Sequence, residues 1–324
     1  MKTIALFSGG LDSTLAMKLI IDQGIEVIAC NINTGFGATR DRREHMEKMC
    51  AQVGAELRSV DIRDEYLKTV LFNPKHGYGK NFNPCIDCHA KMFEVAMRLM
   101  EEWGASFLIS GEVLGQRPMS QNKDALATVL NEANVGGLLL RPMSAKRLDP
   151  TVPELEGWVD REKLEGIVGR TRDRQFELAE QFGLTDYESP GGGCLLTDEN
   201  FAKKMRDFIS HDTFTLPDIP VLKFGRHLRL PDGAKLVIGR NQEENAQIQE
   251  IENEKFVHIR TLGIPGPRSL LSRNASEADR ELAVRVILTY CKTSPEESYT
   301  LDAEGEVLSG APLESREAAA AHLI

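Results

Sequence analysis

Residues 8–14 of the chain combine a glycine pair with hydroxyl side chains and a carboxylate, in the sequence SGGLDST. They lie between two apolar stretches, which predicts a buried strand, a tight turn and a helix. Backbone amides at such a turn, with the positive end of the helix dipole behind them, bind an anion. Asp12 would repel a bare phosphate, so it indicates a bound Mg²⁺ or a polarised pyrophosphate. The alternative is a serine-rich turn that only caps a helix. The residues expected to bind the anion are Ser8, Gly9, Gly10, Asp12, Ser13 and Thr14.

Three of the six cysteines form a second group with chemical potential. Cys85 and Cys88 stand in the run NPCIDCH, and Cys194 follows three glycines. A CxxC turn at the start of a helix lowers the pKa of its thiols, which favours thiolates for nucleophilic or metal chemistry. Three interpretations stay open: a structural zinc with His89 as the fourth ligand, a redox pair, or a three- or four-iron cluster with one iron open to a substrate sulfur. The other cysteines are predicted to be core residues: Cys30, Cys50 and Cys291.

The elements around these motifs alternate short apolar runs with amphipathic stretches up to about residue 200. This pattern predicts an α/β fold with a parallel sheet. The predicted strands are 3–7, 26–31, 56–60, 106–110 and 138–140, and the predicted helices are 13–23, 40–53, 89–103 and 172–182.

The pattern changes after a further predicted helix at 201–210. We therefore expect a first domain over residues 1–211, a smaller α+β domain over 212–310 and a tail over 311–324. In the smaller domain, Gly, Pro and Asp turns separate short apolar runs. The predicted strands there are 221–224, 235–238 and 256–259, and the predicted helix is 277–291.

The smaller domain also carries a local excess of basic residues. Such a patch suits contacts with phosphates. The alternative is a solvated charged face on a small structural domain. The basic residues in question are Lys223, Arg226, Arg229, Lys235 and Arg240.

The composition of the 324 residues, with 41% hydrophobic and 27% charged side chains, is ordinary for a globular protein. No apolar run reaches the ~20 residues of a membrane helix, so no membrane partner is expected. Six cysteines without a secretory leader predict reduced thiols and a cytoplasmic protein. The net charge of −10 argues against a general nucleic-acid binder but allows a local basic patch.

Residues 8–13 resemble the SGGxDS signature of the PP-loop ATP pyrophosphatases, and with the cysteines they resemble the tRNA thiouridine synthetases. Residues 110–121 and 140–143 are similar to the TGExLGQxxSQ and LRPL stretches of the ThiI family. Residues 83–88 look more like MnmA, and the spacing of the three cysteines resembles the TtuA type. This similarity covers roughly residues 1–200. Residues 237–267 resemble NFACT-R, an RNA-binding domain with GRNxxxN and FHxxxxPG elements.

The resemblance implies a PP-loop (HUP-like) sheet with helices on both faces, and ATP-dependent tRNA thiolation. The uridine carbonyl oxygen attacks the α-phosphate, pyrophosphate leaves, and sulfur then replaces AMP. Catalytic roles fall on Asp12, Cys85 and Cys194. Sulfur comes either from an iron–sulfur cluster on Cys85, Cys88 and Cys194, which we favour, or from a persulfide on Cys194 that Cys85 resolves. The product 4-thiouridine is favoured over 2-thiouridine.

Cofactors and partners follow from the same resemblance. ATP and Mg²⁺ bind at the carboxyl edge of the sheet, where Asn31 or Asn33, Gly111 and Glu112 are candidates for contact with adenosine. The partners are tRNA and a sulfur donor, either sulfide, a cysteine desulfurase or a carrier protein; the sequence carries no signal of oligomeric state. The residues expected to bind RNA are Arg226, Arg229, Lys235, Arg240, Asn241 and His258.

Two other functions stay open. One is a PP-loop sulfurtransferase, or an amide- or nitrile-forming enzyme, that acts on a small metabolite. The other is a non-catalytic RNA-binding protein whose PP-loop senses a nucleotide. Consumption of ATP with RNA or with a free metabolite separates the enzymes from each other, and the effect of Asp12→Ala separates them from the sensor.

Overall fold

The computed structural model describes residues 1–37, 42–188 and 194–324. Their contacts divide the chain into two units, Met1–Thr197 and Asp198–Ile324. The first residues of the predicted helix 40–53 and the three glycines before Cys194 lie outside the described residues.

The first unit is built on a five-stranded parallel sheet in the order β3-β2-β1-β4-β5. The two central strands are buried along most of their length, because β-branched and aliphatic residues fill both faces. The predicted strands of this half are all present. Their bounds are Lys2–Leu6 for β1, Glu26–Asn33 for β2, Glu56–Asp61 for β3, Phe107–Ser110 for β4 and Leu139–Leu140 for β5.

Helices cover both faces of this sheet, as the alternation along β1 shows. Ala5 packs with the cluster that contains α1, α2 and α7, whereas Ile4 packs with the cluster that contains α4 and α5. The predicted α/β class is therefore confirmed. The helices are α1 Leu11–Ile21, α2 Arg43–Val53, α3 Arg63–Tyr66 with a π-helical continuation Leu67–Leu71, α4 Cys85–Trp103, α5 Lys123–Ala133, α6 Val152–Leu155 and α7 Asp173–Gln181.

The second unit is a six-stranded antiparallel sheet in the order β11-β10-β8-β9-β7-β6, with α11 packed in its apolar core. This is the smaller α+β unit that the sequence predicts. Its strands are β6 Arg226–Arg229, β7 Lys235–Ile238, β8 Phe256–Thr261, β9 Ser269–Ser272, β10 Tyr299–Ala303 and β11 Glu306–Gly310. Its helices are α8 Glu199–His211, α9 Asp218–Lys223, α10 Gln242–Gln249, α11 Glu277–Thr289 and α12 Arg316–Ala320.

Three details of this unit differ from the sequence-based expectation. Residues 221–224 were expected as a strand, but most of them belong to α9, because Pro217 and the Asp218 side chain, which accepts from the Thr215 amide, start a helix there. Helix α8 lies before the expected boundary at 212 and is grouped with the second unit, since its Asp207 pairs with β6 and β7. The residues after 310 include α12 with a buried Ala319.

No helix in the three described ranges combines the length and the apolar character that a membrane crossing requires.

Candidate active site

The glycine-rich loop connects β1 to α1, and Gly10 precedes the helix in an extended conformation with no side chain bonded to the first amides. The hydroxyls of Ser13 and Thr14 both donate to the Gly10 carbonyl, at 2.9 and 3.0 Å. These two side chains therefore shape the loop, while the backbone amides of the first helical turn are the groups that can bind an anion. Ser8 is exposed beside the loop.

Two glycines let the backbone pack where a side chain would not fit. Gly9 has φ +80°, which favours glycine. A Cβ built on Gly111 would lie 2.4 Å from the Ser13 amide nitrogen. The end of β4 therefore touches the start of α1 directly, which places residue 111 beside the loop as the sequence predicts.

Asp12 lies on the first turn of α1, and only one of its two carboxylate oxygens accepts a hydrogen bond from the described residues. Its Oδ2 accepts from Gln116 Nε2 at 2.7 Å and lies 3.3 Å from an Arg172 guanidinium nitrogen. Gln175 in turn donates to Gln116 Oε1 at 3.1 Å. Oδ1 is buried and has no hydrogen-bond partner among the described residues. A buried oxygen without a donor is costly unless a ligand such as a cation completes it.

The two asparagines at the end of β2 support the loop and the sheet edge. Asn31 Nδ2 donates to the Phe7 carbonyl at 3.0 Å, and Asn33 Oδ1 accepts from the Gly35 amide at 2.9 Å. Both side chains therefore already have backbone partners, and their contact with adenosine remains a prediction.

The structure brings the three cysteines together from two distant segments. Cys85 and Cys88 lie on the first turn of α4, after Pro84. The turn that follows Cys194 is tied to the approach to α4, because Asn81 Nδ2 donates to the Thr197 carbonyl at 2.8 Å and the Phe82 amide donates to the Leu196 carbonyl at 3.1 Å.

Tyr66 stands between these thiols. Its side chain is buried, its hydroxyl shares a hydrogen bond with Cys88, and the charges of Cys194 and Cys85 also act on it, so that its pKa is raised. Burial raises the pKa of Cys88 to about 12 and also raises that of Cys194. Across the residues that the structure describes, no three His, Cys, Asp or Glu side chains converge as ligands of a single metal ion.

Cys85 begins a buried chain of charged groups. Burial would raise the pKa of its thiol, but hydrogen bonds from His89, Ser120 and Asn83 and the charge of His89 lower it. His89 Nδ1 donates to Glu112 Oε1 at 2.9 Å, and Arg141 Nε donates to Glu112 Oε2 at 2.8 Å. Glu112 was expected to bind ATP. Its carboxylate joins the cysteine site to Arg141, and its contact with ATP stays a prediction.

The neighbours of His89 and of Glu112 shift the pKa of each side chain in the direction that favours its charged form. Burial opposes the charge on His89, yet its bonds to Cys85 and Glu112 raise the imidazole pKa to about 10. The charges of Arg141 and His89 likewise overcome burial and lower the pKa of Glu112 to about 2. At neutral pH the chain therefore carries an imidazolium, a carboxylate and a guanidinium of alternating sign, and the Cys85 thiol lies at its His89 end.

Glu112→Gln is expected to destabilise the first unit by about 3–5 kcal/mol, since it leaves the buried Arg141 charge without its counter-ion. Denaturant unfolding at pH 7 measures this loss. Glu94→Gln on α4 is the control: the Glu94 carboxylate is about half exposed, and Lys91 keeps its second partner Glu65, so at most ~1 kcal/mol is expected. Equal effects of the two substitutions would contradict a buried ionic chain.

Cys85 is expected to react with iodoacetamide at lower pH than the other thiols of the metal-free protein. Because its pKa is lowered, its thiolate forms below the pH that Cys291 needs, where burial raises the pKa to about 11. Mass spectrometry of the alkylated peptides across pH gives both midpoints. His89→Gln should move the Cys85 midpoint upward and leave that of Cys291 in place. Coincident midpoints in the parent protein would refute the ion pair.

In the second unit, two of the residues expected to bind RNA are held in an internal ion cluster. Asp207 accepts from Arg229 Nη2 at 2.6 Å and from Lys235 Nζ at 2.7 Å. The Lys235 side chain is only 2% exposed, and burial lowers its pKa to about 8. The structure therefore places Lys235 inside the unit, where it secures α8 to β7, and not on a surface that a phosphate can reach.

Of the other four residues expected to bind RNA, two lie against backbone groups of the same unit and two are arginines paired with a carboxylate or a ring. Asn241 caps α10 by accepting from the Glu244 amide at 2.9 Å, and His258 Nε2 lies 2.8 Å from the Ile251 carbonyl. Arg240 is exposed and paired with Glu244, and the Arg226 guanidinium lies 4.7 Å from the centre of the Tyr290 ring. Arg226 and Arg240 are thus the basic side chains of this set that solvent reaches most readily.

Several neighbours of the site were not assigned from the sequence. Gln116 lies in the stretch that resembles ThiI, but nothing in the sequence indicated its hydrogen bond to Asp12. Tyr66 and Arg172 each reach the site through contacts between segments far apart in sequence, and the sequence indicated Arg172 only as part of a basic cluster that could contact RNA.

Family models match both parts of the chain. The model described as thiamine biosynthesis protein (ThiI) matches residues 1–147. The model described as NFACT protein RNA binding domain matches residues 225–319. These matches confirm both resemblances that the sequence predicts.

Curated relatives and solved structures are similar to parts of the chain. A tRNA-specific 2-thiouridylase MnmA from Nitratidesulfovibrio vulgaris is 28% identical over 49% of this chain and 48% of its own length. A probable tRNA sulfurtransferase from Methanobrevibacter smithii is 28% identical over 39% of this chain and 34% of its own. The chain thus spans half or less of these relatives. A crystal structure of a 4-thiouridine synthetase–RNA complex with bound ATP has a TM-score of 0.38 and 19% identity, and the match covers 68% of this chain and 52% of that one.

Proposed function

We propose that this protein is an ATP-dependent tRNA sulfurtransferase that converts a uridine to 4-thiouridine. One observation carries the proposal: a single fold unit contains both the glycine-rich loop and three neighbouring cysteines. Beside the loop, the buried Oδ1 of Asp12 has no hydrogen-bond partner among the described residues. The match of residues 1–147 to the ThiI model supports the same assignment. The relatives named for 2-thiouridine make that product the main competitor.

The loop and Asp12 activate the substrate in this scheme. The first amides of α1 bind the phosphates of ATP, and the buried Oδ1 of Asp12 is suited to be a Mg²⁺ ligand, since none of the described residues donates a hydrogen bond to it. The ion would neutralise charge on the pyrophosphate. The uridine oxygen attacks the α-phosphorus, the bond to the β-phosphate breaks, and the base is left adenylated. Gln116 and Arg172 keep the Asp12 carboxylate oriented during this step.

The cysteines carry the sulfur that a donor delivers. We favour an iron–sulfur cluster on Cys85, Cys88 and Cys194, because these thiols lie close enough to act on one another electrostatically, and a cluster with three protein ligands would have an iron free to carry sulfide. Tyr66 would orient the Cys88 ligand through its hydroxyl. Anaerobic purification with iron and sulfide assays tests this. A colourless, iron-free and fully active enzyme would overturn it.

The persulfide route uses the same chain without a cluster. A sulfane sulfur on Cys194 attacks the adenylated carbon and expels AMP. The Cys85 thiolate, whose formation His89 favours by lowering the thiol pKa, then attacks the Cys194 sulfur. A Cys85–Cys194 disulfide forms, and the thiolated base leaves with the electron pair. The donor in this route is a cysteine desulfurase or a carrier protein that delivers sulfane sulfur, whereas free sulfide can serve only the cluster route. We place the reaction in the cytoplasm.

The second unit binds the tRNA in this proposal, in line with its match to the RNA-binding domain model. Arg240→Gln is expected to weaken tRNA binding, and the slope of log affinity against log salt should fall by about 1 for the lost phosphate contact. Arg260→Gln is the control, since Arg260 is equally exposed and also pairs with a carboxylate. Identical salt slopes for all three proteins would rule out Arg240 as a phosphate contact.

Mass spectrometry of nucleosides from tRNA, in cells with and without the gene, tests the proposed function. Loss of 4-thiouridine supports it. Loss of a 2-thiouridine derivative confirms thiolation and replaces the product. An unchanged profile, where no second enzyme makes the same nucleoside, rejects tRNA thiolation and favours a small-metabolite substrate.

A further inference from the structure

A charged side chain outside the glycine-rich motif reaches the same loop. Arg42 stands immediately before α2, and its Nη2 lies 3.5 Å from the point where a Gly9 Cβ would be. The neighbouring His45 fixes the loop from the same side, with its Nε2 3.1 Å from the Gly9 carbonyl. Gly9 therefore leaves room for a guanidinium directly beside the proposed phosphate site.

The Arg42 guanidinium is only partly satisfied in this position. Its Nη2 pairs with the Glu188 carboxylate, while its Nε is buried and has no hydrogen-bond partner among the described residues. A buried donor without a partner is costly, and arginine binds phosphate through two parallel hydrogen bonds. Glu188 is about half exposed, so its carboxylate can turn to water at small cost.

We propose that Arg42 is a phosphate ligand of the nucleotide site, and that Glu188 is the anion it exchanges for the β- and γ-phosphates of ATP. The inference rests on the proposed function, because it takes the loop to bind ATP. Before ATP binds, the Glu188 carboxylate pairs with the Arg42 Nη2 and adds negative charge beside the loop. When ATP binds, the buried Nε and a second guanidinium nitrogen meet phosphate oxygens.

This exchange makes opposite predictions for the two partners. Arg42→Met should weaken binding of Mg²⁺-ATP by about tenfold or more, as the loss of hydrogen bonds to a charged group does. Glu188→Gln should tighten it severalfold, because the competing anion is gone. In the Arg42→Met background, Glu188→Gln should have no effect, since a competitor matters only while its arginine is present.

Isothermal titration of the full chain with Mg²⁺-ATP and with AMP measures these affinities. AMP lacks the β- and γ-phosphates, so Arg42→Met should leave its affinity within about twofold of the parent. Arg43→Met is the matched control: it removes the adjacent arginine, which pairs with Glu47 in solvent. Circular dichroism and thermal unfolding show that each variant is folded.

The outcomes distinguish a failure of this inference from a failure of the proposed function on which it rests. If the parent protein binds ATP but Arg42→Met does not weaken binding, or Glu188→Gln weakens it, the exchange is wrong and the nucleotide site stands. An equal loss of AMP affinity in Arg42→Met also overturns the inference, since Arg42 would then support the whole site. If the folded parent protein binds no ATP, the proposed function itself fails.

Discussion

Cys194→Ser is expected to lower thionucleoside formation by roughly 10³-fold or more, because serine removes the sulfur atom that either sulfur route requires. The substitution changes one atom in a site whose backbone is held by its own bonds, so the fold should be retained. ATP-dependent release of pyrophosphate should continue, since the glycine loop and Asp12 are untouched. The experiment incubates unmodified tRNA with ATP and a reductant, once with sulfide and once with a cysteine desulfurase and cysteine, and measures both products.

Cys291→Ser provides the matched control for this result. Cys291 is a partly buried thiol of the second unit whose sulfur lies 3.4 Å from the Ile287 carbonyl, and neither route uses it. Its variant should thiolate at the parent rate. Near-normal thiolation by Cys194→Ser would show that sulfur arrives without this residue. Parallel loss of pyrophosphate release would show instead that Cys194 supports activation of the uridine.

Asp12→Asn is expected to slow pyrophosphate release by roughly 10²–10³-fold, the size of effect seen when one preorganised electrostatic group is removed. Asparagine keeps the shape and can still accept from Gln116, but it withdraws the charge that a cation at Oδ1 needs. The remaining rate should require more Mg²⁺. Initial rates measured across Mg²⁺ concentrations give both quantities.

Asp22→Asn is the control on the same helix. Asp22 follows the last turn of α1 and pairs with Lys18 in solvent, far along the helix from the loop. Its rate should equal that of the parent. If Asp12→Asn retained a rate within about threefold of the parent, Asp12 would be a residue that only shapes the loop.

The sequence predicts the first unit well where local patterns determine the structure. Buried parallel strands read as continuous apolar runs, and a glycine pair between strand and helix has few structural alternatives. The start of α4 is less visible: the helix was expected from residue 89, but it begins at Cys85, because Pro84 precedes its first turn. The cysteines thus occupy the helix itself, not the loop before it.

Ion pairs between distant segments are what the sequence does not reveal. Lys235 reads as part of a basic surface, yet its partner Asp207 lies in an earlier helix, and only the packing of α8 on the sheet buries the pair. The sequence predicts Glu112 as a ligand at a sheet edge. Its partners in the structure are His89 on α4 and Arg141 after β5, and the sequence does not indicate either pair. Charge in a sequence shows that a partner is needed, but not which one.

The bond between Asn81 and Thr197, 116 residues apart, has a consequence for the order of events during synthesis. Contacts of such long sequence separation form late, after the intervening chain has closed its loops. Until residue 197 has left the ribosome, the nascent chain presents Cys85 and Cys88 without Cys194 beside them. The three cysteines therefore come together only when the first unit is complete, which can happen while the second unit is still being synthesised.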